Sequence, residues 1–312
     1  MSKGTILLPK KFTKEIYISD RYHVFLNTLA AKLNWDIVVG DDISQNQIQG
    51  NILLALKCPQ HDGIHRGANI PNISSDIKVI TYTVDIQCYR DGSIFHKALT
   101  KVLDRSDLII CPYDEAFRTK MHAYVDKYEW FPHYFSTTRY SSLSFDNIRI
   151  NKCVLAGALS DIYQVRLEAA KSAQCQVIPH PGYDPSITIA NIDRTKYKIG
   201  DDFAKELNAY CCAVTCTSSF KYVLAKHFEI AAAKTILLTD RCVDLDKIGF
   251  VPDVHYIEVT SDNVRSKIYE VVNNTNKYKE IAVNAYNLVI QTSTINHRVE
   301  QLINILRDRK WL

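Results

Sequence analysis

Glycine and proline are scarce in this chain, with ten and nine residues among 312. This low content excludes collagen-like and low-complexity proteins, which are rich in those two residues. No apolar run reaches the roughly eighteen residues of a membrane-spanning helix, and the first residues lack the apolar run and cleavage site of a secretory signal peptide. We therefore expect a globular, cytoplasmic protein without a transmembrane segment.

Paired cysteine spacings are also missing. The nine cysteines are odd in number and form no Cys-x-x-Cys pair, so they favour a reducing compartment over a disulfide framework. The adjacent Cys211 and Cys212 are expected to be small buried side chains in a strand. The excess of positive over negative charge is also small, with a net charge of +4. This value argues against a protein that binds nucleic acid through a broad basic surface.

The sequence does contain a series of short apolar runs that alternate with helix-like segments. Such runs are typical of parallel strands that are buried on both faces. The predicted strands are residues 5–8, 36–40, 51–56, 77–82, 107–111, 153–159, 175–180, 211–217, 235–240 and 255–260. The predicted helices are residues 20–33, 93–104, 114–125, 162–173, 201–210, 221–233, 262–274, 277–291 and 295–309.

This alternation predicts an α/β protein with two Rossmann-like βαβ domains that face each other across a cleft. We assign residues 1–147 to the first domain and residues 148–293 to the second. Residues 294–312 are predicted to form a closing helix that packs back on the first domain, because their apolar side chains recur at helical spacing. Ligands of such sheets bind beyond the carboxyl ends of the strands, so the site is expected in the cleft.

The segment that follows the third strand of the second series carries a candidate binding site. Ser218 or Ser219 is predicted to cap a helix that opens near Lys221, which leaves backbone N–H groups free for a phosphate. Lys221 and Glu229 then share one helix face, with Lys226 beside them. The lysines would contact the phosphate, and the carboxylate would accept hydrogen bonds from ribose hydroxyls. The alternative is a solvent-facing Glu229 paired with a lysine.

Residues 218–240, together with the helices predicted over residues 262–309, resemble the C-terminal part of GT-B-fold glycosyltransferases, in particular the CgeB-like (spore-maturation) and group 1 families. The likeness lies mainly in residues 150–310. It implies that the second domain binds a nucleoside-diphosphate sugar, such as a UDP-sugar, and that the first domain binds the acceptor. It also implies sugar transfer without a metal or other cofactor. The acceptor stays open among a glycan, a small molecule, a protein and modified DNA.

The same resemblance implies further donor-binding residues. Gly157 lets the backbone approach the donor, and Tyr163 and Arg166 enter the helix that follows. Arg166 is suited to bind a diphosphate through two parallel hydrogen bonds. His180 and Tyr183 fall where the family holds the nucleotide base, and Tyr183 either stacks on that base or packs a turn.

Two positions depart from the family pattern. Many retaining members carry two glutamates eight positions apart, and Lys221 stands where the first is expected. Lys234 stands where the family commonly has glycine. The missing acid leaves the stereochemistry open. It also leaves open a non-catalytic nucleotide-sugar-binding protein, and the same fold supports a further alternative, a nucleotide-sugar epimerase.

Polar side chains of the first domain are candidates for acid/base catalysis and acceptor binding. Asp85 ends a predicted strand, and His65 and Asp62 lie in a loop after another strand. A carboxylate or an imidazole in such a position can remove the proton of an acceptor hydroxyl. An alternative for the same loop is a zinc site made by Cys58, His61 and His65, for which a fourth ligand is missing. We predict no metal.

Overall fold

The structure is a computed structural model, and its described part comprises several stretches. They are residues 3–9, 20–40, 43–57, 73–84, 86, 92, 94–179 and 191–312. Contacts between Cα atoms divide the chain into two compact units, which are described separately below. Within the described stretches, no helix combines the length and the apolar character that a bilayer crossing requires.

The first unit contains a parallel sheet with the strand order β2-β1-β3-β4-β5-β6 among its described residues. Most residues of these strands are apolar, and β1 and β5 are buried along their whole length. The strands are β1 Gly4–Leu8, β2 Asp36–Val39, β3 Ile52–Lys57, β4 Lys78–Thr83, β5 Leu108–Cys111 and β6 Tyr128–Trp130. The helices are α1 Arg21–Leu33, α2 Ile94–Arg105 and α3 Asp114–Lys120, and short 3₁₀ helices span Gln45–Gln47 and His122–Lys127.

The second unit begins with α4 and contains a parallel sheet with the strand order β11-β10-β9-β7-β8. Its strands are β7 Ile150–Ala156, β8 Cys175–Ile178, β9 Tyr210–Val214, β10 Ile236–Thr239 and β11 Ile257–Glu258. Its helices are α4 Thr137–Tyr140, α5 Gln164–Ala170, α6 Gly200–Asn208, α7 Ala225–Ala232, α8 Val243–Ile248, α9 Val264–Asn273 and α10 Lys279–Thr292, and Thr275–Tyr278 is a 3₁₀ helix. The predicted fold class, two parallel α/β sheets with flanking helices, is confirmed.

Both faces of the second sheet are covered by helices, because alternate strand residues point to opposite sides. On one face, Val154 and Ala213 pack in an apolar cluster with Phe228 of α7. On the other face, Cys153 and Cys212 pack in a second cluster with residues of α5 and α9. As predicted, Cys211 and Cys212 are buried strand residues.

The division between the units falls after Pro132, whereas the sequence placed it at residue 147. The segment that begins at His133 contributes Phe135, Tyr140 and Leu143 to the core of the second sheet. Apolar packing therefore ties this stretch to the second unit before the first strand of that unit begins.

The last helix, α11 Ile295–Asp308, packs on the first unit. Nε of Arg298 donates to the carbonyl of Pro132 at 2.9 Å, and Nε2 of Gln301 donates to the carbonyl of Trp130 at 2.8 Å. Arg309 forms an ion pair with Glu129 at 3.0 Å. These polar contacts attach the helix to β6, the edge strand of the first sheet.

Candidate active site

The carboxyl edge of the second sheet gathers most of the described candidate residues. Strands β7, β9 and β10 are neighbours and run parallel, so the residues that follow them meet at one edge. Gly157 follows β7, Thr215 follows β9 and Asp240 follows β10. The strands therefore supply the framework of the site, and the loops after them supply its polar groups.

Gly157 has a backbone conformation and surroundings that require glycine. Its φ of +133° is one that residues with a side chain rarely adopt. An added Cβ would lie 3.0 Å from Nη1 of Arg166 and 3.0 Å from Cε of Lys226. The absence of a side chain at Gly157 thus leaves room for the side chains of Arg166 and Lys226. The resemblance to glycosyltransferases implies that the donor binds at this place.

Arg166 projects from α5 and is only 2% exposed. Its Nη2 donates to Oγ1 of Thr215 at 2.9 Å, and its guanidinium lies 4.1 Å from the ring centroid of Tyr163. Among the residues that the structure describes, no carboxylate pairs with Arg166, and its Nε has no hydrogen-bond partner. Burial of a cation without a counter-charge is costly, so an anion bound at this edge would stabilise it.

Lys226 adds a second positive charge beside Gly157. It lies in the first turn of α7 and is half-buried, and its Nζ is 5.0 Å from the ring centroid of Phe203. The ammonium group therefore lies near an aromatic ring, and the end of the side chain approaches Gly157.

The loop between β9 and α7 is held by the carboxylate of Asp240, the residue that follows β10. Oδ1 of Asp240 accepts the backbone N–H of Thr217 at 2.6 Å, and Oδ2 accepts the Thr217 hydroxyl, also at 2.6 Å. The ammonium of Lys221 lies 3.3 Å from Oδ2 of the same carboxylate. Asp240 therefore anchors the loop from inside, a role that the sequence analysis missed.

The predicted helix start near Lys221 is wrong, because α7 begins at Ala225 with Leu224 as its N-cap. Ser218 and Lys221 have φ values of +63° and +56°, which fold the segment into turns before the helix.

The backbone N–H groups expected to be free for a phosphate are engaged inside this loop. The N–H of Ser219 donates to the carbonyl of Ile162 at 2.8 Å, and that of Tyr222 donates to the carbonyl of Thr217 at 2.7 Å. The N–H of Lys221 donates to the carbonyl of Ser218 at 3.2 Å. The positive groups at this edge are therefore side chains rather than a serine-capped helix end.

His227 takes the capping role that was predicted for a serine. Its Nδ1 accepts the backbone N–H of Leu224 at 3.1 Å, and Nε2 lies 2.9 Å from Oγ1 of Thr239. The side chain is fully buried, and this burial lowers its pKa to about 4. His227 is thus neutral near pH 7 and serves as a structural link between α7 and β10.

Glu229 lies in α7, one turn after Ala225, and is 3% exposed. The solvent-facing alternative is therefore wrong, because the side chain is buried. Its contact with ribose stays a prediction, as do the donor roles of Tyr163 and Ser219.

Other candidates lie outside the described residues, and their roles stay predictions. They are Asp62, His65, Asp85, His180 and Tyr183, together with the zinc alternative of Cys58, His61 and His65.

A known protein family matches the part of the chain that contains most of these edge residues. Residues 161–304 match the model of a family described as glycosyl transferase-like. The match covers 144 of the 312 residues and concerns the second unit together with the start of the last helix. The matched stretch includes Arg166, Lys226 and Glu229. The resemblance to GT-B-fold glycosyltransferases is confirmed, and the likeness to the CgeB-like branch stays a prediction. No curated protein sequence matches the chain significantly.

Solved structures with the same fold align over nearly the whole chain. An α-glucosyltransferase in complex with UDP-glucose and DNA containing an abasic site is 12% identical, with a TM-score of 0.63 over 98% of this chain and 100% of that chain. HepE of Anabaena in complex with UDP-glucose is 10% identical, with a TM-score of 0.61 over 98% and 100%. Sucrose-phosphate synthase of Thermosynechococcus elongatus is 11% identical, with a TM-score of 0.62 over 97% and 98%. At these identities the likeness concerns the GT-B fold alone.

Proposed function

We propose that this protein is a glycosyltransferase that moves a sugar from a nucleoside-diphosphate donor, a UDP-sugar, to a hydroxyl group of an acceptor. The observation that carries the proposal is the buried guanidinium of Arg166, which has no carboxylate partner among the described residues and lies beside Gly157 at the carboxyl edge of β7. The family match and the UDP-glucose complexes of two structural neighbours support it.

The chemistry requires a stabilised leaving group. As the bond between the anomeric carbon and the diphosphate oxygen breaks, its electron pair goes to the diphosphate, and the acceptor oxygen forms the new bond. Arg166 and Lys226 would hold the diphosphate and stabilise the charge that develops on it. We propose that these side chains replace a metal ion in this role and that no cofactor is needed. The carboxylate of Glu229 would accept hydrogen bonds from the ribose hydroxyls.

The acceptor oxygen must lose its proton during transfer. For this step we keep Asp85, His65 and Asp62 as candidate bases or acceptor contacts of the first unit. The acceptor class remains open among glycans, small molecules, proteins and modified DNA, and DNA is included because one structural neighbour was solved with DNA that contains an HMU base. Cytoplasmic location likewise stays a prediction.

The first experiment tests donor binding by UDP. We expect Arg166→Gln to weaken UDP affinity about 10- to 100-fold, because hydrogen bonds to a charged group contribute about 1.5–3 kcal/mol. The matched control is Arg265→Gln, since Arg265 is an exposed arginine of α9 whose partner is Glu168. The measurement is UDP titration by calorimetry, with thermal unfolding of the free variants to verify that both fold. Equal UDP affinity of the two variants would remove the donor role of Arg166.

A second experiment separates the transferase from its alternatives. UDP-sugars that raise the unfolding temperature are incubated with glycans, small hydroxyl compounds, proteins and DNA with a hydroxymethylated base, and released UDP and the sugar products are measured. Transfer or donor hydrolysis supports the proposal. Isomerised sugar without an outside acceptor indicates an epimerase, and binding without turnover indicates a non-catalytic protein.

A further inference from the structure

Three thiols form a row across neighbouring strands of the second sheet. Cys153 of β7 is the register partner of Cys175 in β8 and of Cys212 in β9. Register partners in adjacent strands point to the same face, and all three pack in one apolar cluster. The row belongs to the body of the sheet and lies apart from the donor-site residues described above.

The spacing of the row is compatible with a disulfide. Adjacent strands lie about 4.8 Å apart, and disulfides join Cα atoms that are about 4.4–6.8 Å apart. Cys153 is the register partner of both other cysteines, so its side chain lies between theirs on this face of the sheet. All three cysteines are reduced.

The members of the row differ in access and in acidity. Cys175 lies in β8, the edge strand of the sheet, and is partly exposed, whereas Cys153 and Cys212 are fully buried. The neighbouring Cys153 thiol lowers the pKa of Cys175, and burial raises the pKa of Cys153 well above its usual value. Redox-active pairs combine an accessible thiolate with a neighbouring thiol that resolves the oxidised form.

We propose that Cys175 is a peroxide-oxidation site and that Cys153 resolves it to a disulfide between β7 and β8. In the first step the Cys175 thiolate attacks one oxygen of hydrogen peroxide, the O–O bond breaks, and Cys175 sulfenic acid and hydroxide are formed. In the second step the Cys153 sulfur attacks the oxidised sulfur. Cys153 loses its proton, the S–O bond breaks, and the sulfenic oxygen leaves as water. Hydrogen peroxide is the oxidant throughout, and a dithiol reductant restores both thiols.

The experiment uses the full chain, reduced and then freed of reductant. The protein is treated with hydrogen peroxide, the remaining thiols are alkylated, and the digest is mapped by mass spectrometry. We expect one cross-linked peptide pair that joins Cys153 to Cys175 and disappears after treatment with dithiothreitol. Cys153→Ser should leave Cys175 as a sulfenic acid that dimedone traps, because the resolving thiol is gone.

The matched control is Cys211→Ser, a neighbouring cysteine of β9 that lies outside the row and donates to the carbonyl of Ile150. This variant should form the same cross-link at the same rate, whereas Cys175→Ser should abolish it. Cross-linking of Cys153 to Cys212 in preference to Cys175 would overturn the proposal. A Cys175 that stays fully alkylatable after peroxide treatment of the folded chain would overturn it as well.

Discussion

Removal of the Asp240 carboxylate should release the loop between β9 and α7. Asp240 is only 15% exposed at its side chain, and it accepts two hydrogen bonds of 2.6 Å from Thr217, a residue with no exposed surface. Hydrogen bonds to a charged group contribute about 1.5–3 kcal/mol each. Asp240→Ala breaks both bonds and leaves the N–H and the hydroxyl of Thr217 buried, so we expect a loss of about 3 kcal/mol in the local stability of the loop.

The ion pair of Asp240 with Lys221 should contribute little to this effect. The Lys221 side chain is 63% exposed, and exposed ion pairs contribute about 0–1 kcal/mol. Lys221→Ala is therefore the matched control, because it removes the ion pair and keeps both bonds to Thr217. A comparison of the two variants separates the buried bonds from the surface charge.

The assay is hydrogen exchange at the amide of Tyr222, which donates to the carbonyl of Thr217. A local loss of about 3 kcal/mol corresponds to exchange about 100-fold faster. Lys221→Ala should accelerate the exchange less than about 5-fold. If both variants accelerate exchange to the same small extent, the carboxylate does not anchor the loop and the reasoning fails. Because Thr215 of this loop contacts Arg166, Asp240→Ala should also weaken UDP binding.

Two further predictions concern stability. The pKa of His227 falls from 6.5 to about 4 on folding, so the unfolded chain gains the proton first as pH falls. Stability is therefore complete above pH 6.5 and is lost between pH 6.5 and 4, by about 2 kcal/mol at pH 5. His227→Gln should remove this part of the pH dependence of urea unfolding, and an unchanged slope would contradict the assignment. Lys234 has a φ of +59°, so Lys234→Gly should be about 1 kcal/mol more stable than Lys234→Ala in urea, since both lose the same ammonium contacts. Equal stability of the two variants would show that the backbone there is not strained.

Most of the strands were predictable, because strands that are buried on both faces consist of consecutive apolar residues. The strand β6 was missed, since its three residues Tyr128–Trp130 make no such run. The predicted helix over residues 114–125 ends earlier, at Lys120, and a 3₁₀ turn continues the segment. Short elements depend on their neighbours in space, and a local pattern carries little information about them.

Sequence reasoning selected Gly157, Arg166 and Lys226, which the structure brings close together, but it did not predict the loop geometry around them. Ser218 and Ser219 match a capping pattern, yet the fold of their loop depends on Asp240, a carboxylate that is distant in sequence. The position of Lys234 shows the opposite case. Glycine, which the resemblance implies at this position, is the residue best suited to a left-handed backbone, and Lys234 adopts such a backbone with a φ of +59°. The backbone conformation at this position is thus kept with lysine in place of glycine. The hydrogen bonds from Asp240 to the loop, in contrast, join residues that are distant in sequence, so a local pattern does not predict them.

The chain order of the two units decides how this protein can be divided for experiments. His133–Ile295 is one continuous stretch, whereas Asp20–Pro132 and Asn296–Leu312 belong to the same unit and are separated by it. A fragment that stops at Pro132 would lose Arg298, Gln301 and Arg309, whose hydrogen bonds cover the β6 edge. The stretch His133–Ile295 is thus the natural piece to express alone, whereas the two segments of the other unit would have to be joined by a linker.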